Sequence, residues 1–127
     1  PGISIQRYYQ PVEGVGLPKE GDLVRVTLQP RLSSRDTYGC YEVRDHLPAN
    51  LAPMGEGSFQ ERGWWPAASV DGEVGFVACG GYQDAISYTA RVIIPGTFTA
   101  PAPLVQHLET PSLAAVGVPT EFVATPR

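Results

Sequence analysis

The chain has 127 residues, 43% of them hydrophobic, with 14 Gly, 13 Pro and a net charge of −4. One core commonly organises about 100–150 residues, so one domain is expected, and so much Gly and Pro excludes long helices and favours an all-β class. The eight Arg and the single Lys are scattered without a basic run, which argues against nucleic acid and acidic membranes as partners.

The first strand expected is Ile3 to Tyr9, with Ile3, Ile5, Arg7 and Tyr9 on one side and Ser4, Gln6 and Tyr8 on the other, the two-residue period of a pleated strand. Pro11 to Gly21 breaks that pattern. "DLVRVTLQP" resumes it, with Val24, Val26 and Leu28 facing one way, Leu23, Arg25 and Thr27 the other, and Pro30 closing the run. After the polar turn Ser33 to Asp36, "TYGCYEVRDHLP" alternates Tyr38, Cys40 and Glu42 against Tyr41 and Val43 until Pro48.

Ala49 to Gly72 reads as an irregular loop of about 24 residues, longer than compact domains usually hold without a task, pinned by Trp64 and Trp65. Glu73 to Cys79 is the next strand, followed by a Gly80-Gly81 turn. Gln83 to Ile94 is the longest candidate, with Ile86, Tyr88, Ala90 and Val92 on one face, and is expected at a sheet centre. Pro95-Gly96 makes a corner before "TFTAP", "APLVQHLETPSL" reads as one helical turn or a loop, and "PTEFVAT" supplies the last strand. Strands spaced by about 8–12 residues with turns between them describe an antiparallel β-sandwich.

Cys40 and Cys79 lie in strand-like surroundings, and an even cysteine count in a β-rich chain favours a disulfide over two buried thiols and suits an exported protein. No apolar run is long enough for a membrane helix, and "PGISIQRYYQ" lacks the layout of a signal peptide. Starting on Pro1, holding only Met54 and ending on "VATPR", the sequence reads as a piece of a longer chain.

Chemistry-bearing motifs are missing: no GxSxG elbow, Walker loop or HExxH occurs. His46 follows Asp45, which could orient an imidazole, but a solvated or turn-bonded residue at a strand end is the better reading. Asp36, Asp45, Asp71 and Asp84 read as surface carboxylates rather than calcium ligands, two cysteines without CxxC spacing make a poor zinc site, and no cofactor is expected. The only Lys and the only Asn, Lys19 and Asn50, raise the idea of an isopeptide crosslink, although their Pro/Gly-rich loops make exposure the default. Tyr8, Tyr9, Tyr38, Tyr41, Tyr82 and Tyr88 are better read as sheet packing than as a sugar-binding face.

Four blocks carry a resemblance: "ISIQRYYQPV", "EGDLVRVTLQP", "YEVRDHLPANLAPM" and "ISYTARVIIPGTFTAPAPLVQHLETPSL". In this order, from about Ile3 to Leu113, they resemble the C-terminal domain of bacterial α2-macroglobulin-like proteins. There an Arg-Tyr-Tyr strand, a Gly-Asp-x-Val-x-Val strand, an Asp-x-Leu-Pro-Ala-x-Leu turn and a Tyr-x-x-Arg-x-x-x-x-Gly-x-Phe-x-x-Pro block follow one another. The resemblance implies one macroglobulin-like sandwich, residues 1–127, at the end of a large exported protease trap, periplasmic or at the cell surface. It implies a noncatalytic part that packs on the other domains of its parent and meets target proteases only through them.

Cys40 and Cys79 lack the nearby Glu-Gln of a thioester sequence. Where many members of that family carry Met-Tyr-x-Pro over the thioester, this chain reads Leu108-Glu109-Thr110-Pro111. Leu108 can fill an apolar pocket, but Glu109 cannot replace a tyrosine ring. His107, Leu108, Glu109 and Pro111 are the residues expected at an interdomain contact. The rival reading is a stand-alone secreted adhesion or carbohydrate-binding sandwich using Trp64 and Trp65, and a receptor-binding module is a weaker third.

Overall fold

The computed structural model describes residues 2–32, 39–54, 72–79 and 85–127, together with the main chain of 65–70. Within them the chain is all β. Eleven strands run in order: β1 (Ile3–Pro11), β2 (Leu23–Leu32), β3 (Cys40–His46), β4 (Leu51–Pro53), β5 (Trp65–Val70), β6 (Glu73–Cys79), β7 (Ile86–Val92), β8 (Gly96–Ala100), β9 (Leu104–His107), β10 (Ala114–Val116) and β11 (Thr120–Ala124).

Two sheets form the sandwich, one of order β1-β2-β7-β4 and one of order β10-β9-β3-β6-β5, and β11 and β8 form a separate two-stranded ribbon. All strand pairs are antiparallel. The alternation read in β1, β2 and β7 is realised. Ile3 and Ile5, then Val24, Val26 and Leu28, then Ile86, Tyr88, Ala90 and Val92 are buried. They face Tyr41, Val43, Val74, Phe76, Ala78 and Val105 of the other sheet. Each fully buried Val, Leu, Ile or Phe contributes about 1.5–3 kcal/mol relative to exposure. β7 sits between β2 and β4, inside its sheet as expected.

Several boundaries differ from the sequence reading. Pro30 does not close β2 but lies within it opposite Ile5. β7 pairs only with Leu23 to Leu28, so Pro30 stands where β2 has a single hydrogen-bonded neighbour and its missing N–H is tolerated. The stretch expected to be loop contains β4 and β5. β5 carries a bulge between Pro66 and Ala68, which breaks the alternation that would have revealed it. "APLVQHLETPSL" holds β9, paired with both β3 and β10, rather than a helical turn. Tyr38, Tyr82, the Ser33 to Asp36 and Gly80-Gly81 turns, Asp71, Asp84, Trp64 and the Trp65 side chain lie outside the described residues.

Candidate functional site

Alternation along β1 puts Arg7 in phase with Ile3, Ile5 and Tyr9, so its side chain enters the sandwich, where it is 1% exposed. From the opposite sheet β3 presents Asp45 in phase with Tyr41 and Val43, and β7, in the same sheet as β1, adds Tyr88. Arg7 Nη1 donates to Asp45 Oδ1 at 2.6 Å, and the Tyr88 hydroxyl donates to Asp45 Oδ2 at 2.6 Å. The guanidinium also donates to the carbonyls of Pro101 at 2.8 Å and Ala100 at 3.3 Å and to Thr120 Oγ1 at 3.2 Å. It lies 5.5 Å from the centroid of the Tyr9 ring, which in turn packs 5.2 Å from Phe122.

Burial pushes the Asp45 carboxyl above its ordinary range, against the opposing pull of the Tyr88 hydroxyl and the Arg7 charge. Burial, reinforced by Asp45, raises the Tyr88 hydroxyl well above its own. Both carboxyl oxygens are hydrogen-bonded and closed to solvent, so the cluster clamps the two sheets together. Asp45 is therefore not a surface carboxylate, and it serves Arg7 and Tyr88 instead of orienting His46. Three of the resemblance blocks meet here, since Arg7 and Tyr9 come from the first, Asp45 from the third and Tyr88 from the fourth. The signal that could have found it was a charged residue in phase with an apolar face.

Asn50 is also buried rather than exposed. Its side-chain amide nitrogen donates to the Gly96 carbonyl at 3.3 Å, and its main-chain carbonyl accepts from Ile93 N–H at 2.9 Å. Lys19 is exposed and pairs with Thr125 through the main chain.

The segment expected at an interdomain contact forms the turn between β9 and β10, wrapped around the end of β3. Cys40 and Cys79 are bonded and stand opposite each other in the β3–β6 register. Leu108 N–H donates to the Cys40 carbonyl at 2.8 Å, and Cys40 N–H donates to Glu109 Oε1 at 3.1 Å. Glu109 thus acts within its own chain, capping a strand end. His107 is buried, its Nδ1 accepts the N–H groups of Glu109 at 3.1 Å and Thr110 at 3.0 Å, and its ring meets Tyr41 edge-on at 4.7 Å. Such acceptance places the ring hydrogen on Nε2. Gln106 Nε2 donates to the Pro111 carbonyl. Leu108 remains 45% exposed, beside exposed Glu109 and Pro111.

Gly39, at φ 81°, lets the turn close: a Cβ there would lie 2.7 Å from both Glu109 Oε1 and His107 Nε2. Gly39→Ala is expected to cost about 1–3 kcal/mol, from left-handed strain and that collision. Thermal denaturation would measure it, and an unchanged midpoint would show that the turn yields.

Among the described residues no group of three His, Cys, Asp or Glu could hold a metal ion. Among the same residues no helix is long and apolar enough to cross a membrane.

No family model and no curated protein sequence matches the chain. Solved structures do. Native α2-macroglobulin from Escherichia coli, spanning domain MG7 to the C-terminus, superposes with a TM-score of 0.81 at 24% identity, over 99% of this chain and 24% of that one. Escherichia coli α2-macroglobulin activated by porcine elastase gives 0.80 at 21%, over 99% and 13%. Salmonella α2-macroglobulin reacted with methylamine gives 0.76 at 19%, over 99% and 9%. The chain thus spans at most about a quarter of these proteins, and its fold is that of the C-terminal region of bacterial α2-macroglobulin.

Proposed function

We propose that this chain is the C-terminal macroglobulin-like domain of a bacterial α2-macroglobulin-like protease trap, itself noncatalytic, packing on and regulating the remainder of the trap. The observation that carries this reading is the structural match over 99% of the chain to a region between domain MG7 and the C-terminus of the Escherichia coli protein. The closed Arg7–Asp45–Tyr88 cluster supports it, because its buried carboxylate is spent on joining the sheets. The Cys40–Cys79 disulfide supports an exported location, since cytosolic thiols are held reduced. The contact with the parent falls on the β9–β10 turn, where Leu108 offers an apolar side chain held in place by its hydrogen-bonded neighbours.

A tenfold molar excess of the chain is expected to leave trypsin and elastase activity unchanged, because trapping belongs to the whole assembly. Stoichiometric inhibition by the chain alone would overturn the reading. Within the complete gene product, Leu108→Asp is expected to increase proteolytic nicking at the domain junction. Unchanged nicking would remove this turn from the contact.

A further inference from the structure

We propose that the groove between β1 and the outer edge of β11 receives one extended polypeptide segment, which adds a strand to β11 and sets a basic residue beside Glu121. The groove measures about 250 Å³ and is walled by Tyr9, Leu17, Pro18, Phe122 and Val123. Leu17 is 59% exposed over it.

Strand alternation fixes which main-chain groups face the groove. Thr125 N–H donates to the Pro18 carbonyl at 2.9 Å, and Glu20 N–H donates to the Thr125 carbonyl at 2.8 Å, so Thr125 turns its polar groups away from β8. Main-chain direction repeats every two residues in a strand, so Val123 and Glu121 turn theirs the same way. β11 pairs only with β8 over these positions, and among the described residues no hydrogen bond reaches that outer edge at Glu121 or Val123. On the facing wall, Val12 N–H donates to the Leu23 carbonyl, which puts Val12 in a hydrogen-bonded pair with β2 and turns Tyr9 outward.

The chain already demonstrates the pairing. Lys19 bridges Thr125 in parallel just past the end of β11, and the segment leading into the bridge turns at Gly16, at φ 87°. An incoming strand continues that short ladder. Unsatisfied strand edges beside apolar side-chain pockets are the ordinary means of strand addition, with main-chain bonds giving affinity and alternate side chains specificity. Among the described residues lining the groove, Glu121, exposed on β11, is the only charged one, which sets the charge of the partner.

The test titrates the chain with the peptide Val-Lys-Val-Lys-Val-Lys-Val while following its amide NMR signals. Saturable shifts centred on Tyr9, Leu17, Glu121 and Val123 are expected. Val123→Pro removes a donor that bonds nothing in the fold, and should leave the circular dichroism unchanged while weakening the peptide about tenfold. Glu121→Lys should weaken it several-fold at low salt, and alternate N-methylation of the peptide should abolish binding. Any of three results would overturn the proposal: no saturation at millimolar peptide, equal binding by Val123→Pro, or self-association of the chain through the same amides.

Discussion

Asp45→Ala is expected to destabilise the chain by about 3–5 kcal/mol, because it strands the Arg7 guanidinium in a dry interior. Arg7 and Asp45 side chains are 1% and 0% exposed, so water cannot replace the lost partner. The Tyr88 hydroxyl loses its acceptor in the same step, which makes the loss exceed that of an ordinary surface ion pair. Urea denaturation gives the number directly. The Arg7→Met change should also be costly, through the carboxylate it leaves behind, while the double variant should lose less than the sum of the two. If the two losses simply add, the clamp is not a unit and the residues matter only for packing.

Removing the disulfide with the paired change Cys40→Ala and Cys79→Ala is expected to cost about 4 kcal/mol, from the chain entropy returned to the unfolded state. The two cysteines are separated by 39 positions, a loop long enough for that entropy to matter. Reductant titration of the wild type, followed by urea melts, should reproduce the loss. The damage should spread beyond β3 and β6 to the β9–β10 turn, because Cys40 also bonds Leu108 and Glu109 through its main chain. Hydrogen exchange that rises only in β6 would break that link.

What the amino-acid order revealed and what it hid have physical causes. β1, β2 and β7 were legible because each buries one face and leaves the other polar, so a two-residue period survives in the sequence. β4 and β9, with three and four residues, are too short to show a period. β5 contains Pro66 and a bulge, which interrupt the period it has. The disulfide was open to sequence reasoning because both cysteines fell in strand-like runs. The Arg7–Asp45–Tyr88 clamp was hidden because its partners lie on three strands, and only the register brings them together. Arg7 stood in the apolar phase of its strand from the start, and a cation there demands a buried anion. Glu109 could be seen to fit poorly in place of an aromatic ring, but its actual role depends on Gly39 lying beside it, a relation between distant parts of the chain.

The reach of Arg7 also bears on how the molecule assembles in time. Its guanidinium bonds to groups 38, 93, 94 and 113 positions further along the chain, so the full set of contacts cannot be complete until both sheets and the C-terminal ribbon have met. Chains dominated by such distant pairings fold slowly, and contacts that complete only at the end are absent from the transition state. Weakening them should therefore accelerate unfolding while leaving the folding rate nearly unchanged. Arg7 is then a latch closed last, governing how long the domain stays folded more than how quickly it folds.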